Sequence, residues 1–352
     1  MPCLAAVWLC SLTAAGHDRA CAVRAWLART SDAERARLGL PWDPFDGYRL
    51  PSAATIHRFL QAVDDDPPSA ADGDSGQEAQ PAAVQAESVT GERVAPTSAV
   101  ALDGKTSRHA KRADGSRVHL VGVATHGEGR LLGQIEVDAK TNETTVFRRP
   151  LRPLELTNVM VTTDALHTAR ANLDWLVTAK HAHYLAVVKR NQPTLRAVLA
   201  ALPWADVPTG AVTRESGHGR AETRTIKAAT VRHVDFPHTL QAIRIHRWRR
   251  EKGKRPSRET VYAITSLAFE QAGPALLAGF ARHHWHIEDR QHHVRDVTFG
   301  EDASTSRTGR APATLAIFRG AVINALRAAG YRHIPEGRRD HVTTALNLHG
   351  FP

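Results

Sequence analysis

The sequence predicts an α/β fold on three observations. Three strand-like runs follow one another between Val100 and Val137, strand and helix alternate from Val159 to Val188, and a helical stretch precedes both across an acidic segment. A chain of 352 residues, 42% of them hydrophobic, is long enough for one large core and an appended module. The 46 Lys and Arg outnumber the 36 Asp and Glu, a formal net charge of +10 that favours a polyanionic partner. Nucleic acid leads, ahead of a membrane surface.

Residues 1–63 read as a helical N-terminal domain. The opening MPCLAAVWLC is apolar enough to imitate a signal peptide, yet no Lys or Arg precedes the run, so a core helix is expected. The alternative is a start codon placed inside a longer gene. Ala22, Trp26 and Leu27 recur at helical spacing, and Ser52 is placed to cap a helix carrying Ile56, Phe59, Leu60 and Val63. Such a domain either binds DNA or packs on the rest of the chain, and both readings stand. Cys3, Cys10 and Cys21 form no CxxC pair, which fits a reducing cytoplasm, and no stretch reaches the roughly 18 apolar residues of a membrane span. Between Asp64 and Glu92 there are eight acidic residues and no basic one, so 64–97 is expected to be a disordered linker.

The strand pattern then begins. Val100–Leu102, Val118–Ala124 and Leu131–Val137 form a first strand and a hairpin closed by His126-Gly127-Glu128-Gly129. Val159–Thr163 reads as a buried strand, Leu166, Ala169, Leu173, Leu176 and Val177 as one helical face, and Tyr184–Val188 as another strand. This order predicts a ribonuclease-H-like core whose first part is 98–208. Residues 209–267 return to β-like segments (Ala211–Glu215, Thr223–Val231, Leu240–Trp248, Thr260–Thr265) and read as a β insertion. A helix entered at Gly273-Pro274 continues through Leu276, Leu277, Phe280, His284 and Ile287, resuming the core over 268–335 before a tail at 336–352.

Asp103 ends one apolar strand and Asp164 another, so both acids are expected at the carboxyl ends of strands in one sheet. Glu288, on the later helix, is the candidate third carboxylate. Three such groups suit two divalent cations, Mg2+ or Mn2+, roughly 3.5 to 4 Å apart, which serve in-line phosphoryl transfer without a protein nucleophile. Strand-end aspartates are commonly turn residues, so these acids alone are weak evidence.

The text around them is more specific. Leu102-Asp103-Gly104-Lys105-Thr106, His119-Leu120-Val121, Gly133-Gln134, Lys140-Thr141-Asn142-Glu143 and Thr163-Asp164-Ala165 occur in order. They are followed by Lys189-Arg190-Asn191-Gln192, the run Gly217 to Arg224, Ser266-Leu267 and His284-Trp285-His286-Ile287-Glu288. From about Pro51 to Arg327 the chain resembles the H-repeat-associated DDE transposases of bacterial insertion sequences. The resemblance implies a ribonuclease-H-like catalytic domain interrupted by a β insertion, with Asp103, Asp164 and Glu288 as the metal-binding triad. It implies DNA strand cleavage and transfer on double-stranded DNA, at terminal inverted repeats and target, by a homodimer in the synaptic complex, in the cytoplasm at the nucleoid and without a membrane. Asp296-Val297-Thr298-Phe299-Gly300-Glu301-Asp302 also matches the family pattern. Asp289 and His293 depart from it, where the family carries asparagine and a large aromatic ring.

Residues around the triad are candidate DNA contacts. His284 and Arg295 lie four before and seven after Glu288, on its face of an α-helix, where related transposases carry phosphate contacts. Lys105, Lys189, Asn191 and Gln192 flank the acids. From Arg244 to Arg258 there are eight basic residues and one acidic, which predicts a hairpin tip on the DNA backbone, with Arg247, Arg249 and Arg250 on phosphates and Trp248 stacked on a base. His283, His284, His286, His292 and His293 are expected to point in several directions, so the carboxylates favour Mg2+ or Mn2+ over zinc. Two rival readings remain open: an inactive DNA-binding remnant, and a nuclease of the same fold that cuts without joining.

Overall fold

A computed structural model describes residues 2–15, 18–63, 95–96, 98–111, 115–137, 143–217 and 219–351. The expected linker lies outside them from residue 64 to 94. The chain opens with α1 (Pro2–Ala15), α2 (Ala20–Leu27) and α3 (Asp32–Arg37), a ribbon of β1 (Trp42–Asp43) with β2 (Gly47–Tyr48), and α4 (Ala53–Ala62). Ser52 caps α4 as its position predicts, its hydroxyl accepting the Thr55 N–H at 3.1 Å. Trp8 is fully buried and its indole N–H donates to the Ile56 carbonyl at 3.3 Å, so α1 is a core helix.

The sheet follows. Its elements are β3 (Ala99–Lys111), β4 (Arg117–Thr125), β5 (Leu131–Val137), the short α5 (Glu143–Val146), β6 (Met160–Thr163), α6 (Arg170–Thr178), β7 (His183–Val188) and α7 (Pro193–Ala200). Then come β8 (Ala211–Gly217), β9 (Arg220–Thr230), β10 (Gln241–Glu251) and β11 (Ser257–Thr265). All nine strands from β3 onward form one mixed sheet in the order β5-β4-β3-β6-β7-β11-β10-β9-β8. The pairs β3–β6 and β6–β7 are parallel and the others antiparallel. Residues 209–267 therefore extend the first sheet: β11 lies along β7, with Tyr262 opposite Val188 and Thr265 opposite Leu185, and covers what would otherwise be an open edge.

Both faces of the sheet are buried. Val161, Leu173, Leu176, Tyr184 and Leu199 lie in one core with α6 and α7. On the other face Leu185 and Ile243 of the sheet pack against Leu277 and Phe280 of α8 (Pro274–His283). The helix expected from Leu166 starts later, at Arg170, because the Asp164 carboxylate accepts the N–H groups of Leu166 (3.0 Å) and His167 (3.2 Å) and ties that stretch into a turn.

Past α8 come one wide helical turn, α9 (His293–Thr298), α10 (Ala311–Ala328), α11 (Ile334–Asp340) and α12 (Ala345–Leu348). Trp8, Leu12, Leu27, Ile56 and Leu60 share a core with Leu315, Val322 and Leu326 of α10. The Phe59 and Phe318 rings stack with centroids 6.3 Å apart. The helices before the acidic stretch are thus built around a helix from the far end of the chain. Among the described residues no helix is long and apolar enough to cross a membrane.

Candidate active site

The two aspartates are neighbours because their strands are. Leu102 of β3 pairs in parallel register with Thr163 of β6, and each acid is the next residue along. Asp103, Asp164 and Glu288 all line one cleft between the sheet and the region following α8. Ile287 anchors the glutamate, fully buried against Ala101 and Ala124.

A tight turn holds this segment down. The Gly127 N–H donates to His286 Nδ1 at 3.1 Å, and the carbonyl of Gly129 accepts Gln291 Nε2 at 2.7 Å and Arg327 at 2.8 Å. Gly129 has φ +66°, and a Cβ there would stand 2.7 Å from the Cβ of Arg290, so no other residue fits without displacement.

Asp103 and Glu288 hydrogen-bond one another. Burial first, then the charges of Glu288 and Asp164, push the Asp103 carboxyl up to about 8. A hydrogen bond with the imidazole of His292 pulls Glu288 below the usual carboxylate range. Nδ1 of His292 stands 3.3 Å from Glu288 Oε2 and 3.8 Å from Asp103 Oδ2. Among the described residues, Asp103, Glu288 and His292 form the one group whose ligand atoms all lie within 4.8 Å of one another. Asp164 faces the same cleft from outside that group, one of its oxygens committed to the turn after β6. Such a donor set, two acids and an imidazole, can hold a divalent cation, which would compete with the protons these groups otherwise bind.

Several expected DNA contacts are turned inward. Arg295 is 1% exposed: Nε and Nη2 grip Glu301 at 2.8 and 2.6 Å and Nη1 donates to Gln134 at 2.6 Å, so no phosphate reaches it. The cause is the wide turn, in which the N–H of His293 bonds the Glu288 carbonyl five residues back. One residue more per turn rotates everything beyond it by roughly 100° relative to an α-helix, and Arg295 leaves the face of Glu288. His284 is buried with Nδ1 3.0 Å from the Thr162 hydroxyl, and burial lowers it to about 4. Lys105 is buried and donates to both oxygens of Asp296 at 2.7 Å. Asn191 and Gln192 donate to the carbonyls of Ala165 and Thr168, so they brace the turn after Asp164. Lys189 is exposed and lines the cleft.

The basic run does form a hairpin, β10 and β11, but strand alternation splits it. Arg247 and Arg249 share the α8 side of the sheet with Ile243 and Ile245, whereas Trp248 and Arg250 point to the opposite side with Arg244, whose guanidinium lies over Trp204. A single surface using all four residues does not exist. Arg247 and Arg249 line a second, wider cleft of about 810 Å³ with Arg220, Arg224, Arg282 and Trp285. At its floor lies Glu222, 4% exposed, which pairs with Arg220, Arg224, Arg247 (3.3 Å) and Arg249 (3.2 Å).

Sequence reasoning overlooked His292 and Glu222. The first lies four residues after Glu288, the spacing that places two side chains on one helical face, and that signal was lost in a crowd of histidines. Glu222 alternates with Arg220 and Arg224 along β9, a one-sided charge pattern that was visible only as a landmark.

Residues 95–325 match the family model described as transposase DDE domain. YncI of Escherichia coli O157:H7, which carries a provisional transposase name, is 29% identical over 240 residues, 65% of this chain and 61% of that protein. YhhI of E. coli K12, provisionally named an H repeat-associated transposase, is 27% identical over 245 residues, 64% of this chain and 63% of that protein. The chain spans about three-fifths of the length of these relatives. The piggyBac transposase of a synaptic complex with hairpin DNA gives a remote structural likeness, TM-score 0.41 at 10% identity over 71% of this chain and 52% of that one.

Proposed function

The chain belongs to the transposase DDE domain family, and from that premise we propose that it cleaves DNA strands at the ends of an insertion sequence and joins them to target DNA. The observation that carries the reading is the convergence of Asp103, Glu288 and Asp164 on one cleft, where burial and the neighbouring acids raise the pKa of the Asp103 carboxyl. Two divalent ions, Mg2+ or Mn2+, bound there supply Lewis acidity for in-line phosphoryl transfer. The strand order β5-β4-β3-β6-β7, with parallel pairing at β3–β6–β7 only, supports a ribonuclease-H-like core over 98–208 and 268–335, interrupted by 209–267.

The chain's own groups bind and orient the substrate. Lys189, exposed beside Asp164, is placed to position a phosphate near the acids. Arg224, Arg247 and Arg282 line both the acidic cleft and the wider one, so a DNA backbone lying in the second leads into the first. Synapsis of two ends calls for at least a dimer on DNA, and an activity of this kind would be exercised on the chromosome, in the cytoplasm.

A strand-transfer assay with pre-cleaved element ends, target plasmid and Mg2+ tests the proposal. Joined product is expected; cutting without joining would indicate a nuclease, and binding alone an inactive remnant.

A further inference from the structure

We propose that His292 is a direct ligand, through Nδ1, of one of the cations held at Asp103 and Glu288, and that it biases this position toward Mn2+ over Mg2+. The proposal rests on the reading of the site as a divalent-metal centre and adds a nitrogen donor to its acids.

Three observations support it. The first is distance. Two donors on one ion at about 2.0–2.2 Å, at angles between square and tetrahedral, stand roughly 3.0–3.5 Å apart. His292 Nδ1 lies 3.3 Å from Glu288 Oε2 and 3.8 Å from Asp103 Oδ2, so small movements suffice once the cation displaces the Nδ1 proton, leaving the neutral ring protonated on Nε2. The second is placement. The imidazole is buried at the base of the wide turn that also carries Glu288, on the side facing β3, and is not a surface histidine that swings freely. The third is contrast with its neighbours. His283 and His286 stack on one another at 4.6 Å, and His126 and His284 both hydrogen-bond the Thr162 hydroxyl, at 2.8 and 3.0 Å. Among these described histidines, His292 alone belongs to the cluster with Asp103 and Glu288.

The chemistry follows from the donors. Magnesium takes oxygen ligands almost exclusively, while imidazole raises affinity for first-row transition metals. The two cation positions would then differ: one nitrogen and oxygen, the other, toward Asp164, oxygen only.

The test is pulsed electron paramagnetic resonance of the full chain carrying one equivalent of Mn2+. Modulation from a directly coordinated 14N is expected, converting to 15N frequencies when the protein is made with 15N-histidine. His292→Gln should remove it and reduce the preference for Mn2+ over Mg2+ by ~10-fold or more, as expected for loss of a ligand. If the wild type shows no nitrogen coupling while Mn2+ binding still depends on Asp103 and Glu288, the proposal falls and the metal centre stands. Should Mn2+ binding ignore Asp103→Asn and Glu288→Gln, the metal-centre reading itself fails. Nitrogen coupling that persists in folded His292→Gln also overturns the proposal. Where that variant does not fold, the isotope result on the wild type decides.

Discussion

Glu301 shows how much of this site is held by buried charge. Its carboxylate is 3% exposed and lies between the guanidiniums of Arg295 and Arg319, each 1% exposed. Burial raises its pKa, but the two arginines outweigh that and bring it down to about 2. Its folded value is depressed below the ordinary 4.5, so its stabilising contribution is complete above 4.5 and is lost as pH falls through about 2. Glu301→Gln leaves two buried cations without their partner and is expected to cost ~3–5 kcal/mol, read by denaturant unfolding at pH 7. A loss under 1 kcal/mol would mean that water compensates the arginines. Nearby, Lys105 and Asp296 tie β3 to α9. The Asp-Val-Thr-Phe-Gly-Glu-Asp stretch, read from sequence only as a family landmark, therefore has a physical role: it fixes the segment bearing Glu288 against the strand bearing Asp103. Asp164 was legible as a strand-end acid and Glu288 as a helix acid, whereas Asp103, expected at a strand end, lies inside β3, which runs on to Lys111 because β4 continues to pair with it beyond the last β6 contact. Arg295 was misread because the face argument assumed an uninterrupted α-helix, and a wide turn leaves no mark in residue spacing. Asp103→Asn, Asp164→Asn or Glu288→Gln should each abolish cleavage, by 10³-fold or more on the order expected for a metal ligand, with DNA binding retained in a gel-shift assay. Full cleavage by any one of them would remove that residue from the centre.

At the scale of elements, the His126–Gly129 turn holds the glutamate segment and the β10–β11 hairpin supplies arginines to the wider cleft. Both were visible in sequence, the first from its glycines and the second from its charge. Neither contact made by them was visible, because docking depends on the partner element. Gly129→Ala forces a side chain into a φ of +66° and against Arg290, and an unfolding free-energy loss of ~1–3 kcal/mol is expected. An unchanged melting curve would show that the turn does not hold the glutamate segment. Alternation along β10 gives a sharper test. Changing Arg247 and Arg249 to Ala should weaken DNA binding and reduce the slope of log affinity against log salt by about 1–2, whereas changing Trp248 and Arg250 together should alter it less. Equal effects from the two pairs would contradict the assignment of the α8 side as the DNA face. Glu222, which holds four arginines in place, was hidden in part for the same reason: two of its partners, Arg247 and Arg249, lie on the neighbouring strand.

Over the whole molecule, one sheet runs from β5 to β8 and one helical core joins residues on both sides of the acidic stretch. The α/β class and the order of elements were readable from periodicity. The continuity of the sheet was not, since the pairing of β7 with β11 links positions about 80 residues apart and no local pattern encodes it. Nor was the docking of α1 and α4 on α10, which pairs apolar faces from opposite ends of the chain. The acidic centre also sets a property of the whole fold. Asp103 titrates near 8 when folded and near its ordinary 3.8 when unfolded. Without cations the folded state gains from this group below 3.8 and loses that gain as pH rises through 8. A divalent ion competes with the same proton, so Mg2+ or Mn2+ should raise the melting temperature more at pH 8 than at pH 6 by scanning calorimetry; the opposite order would place the ions elsewhere. The most direct measurement of the central claim is anomalous diffraction from crystals of the DNA-bound protein soaked in Mn2+. Peaks within about 2.0–2.3 Å of carboxylate oxygens of Asp103, Asp164 and Glu288 are predicted. Ordered carboxylates with no anomalous density between them, at saturating Mn2+, would contradict the account.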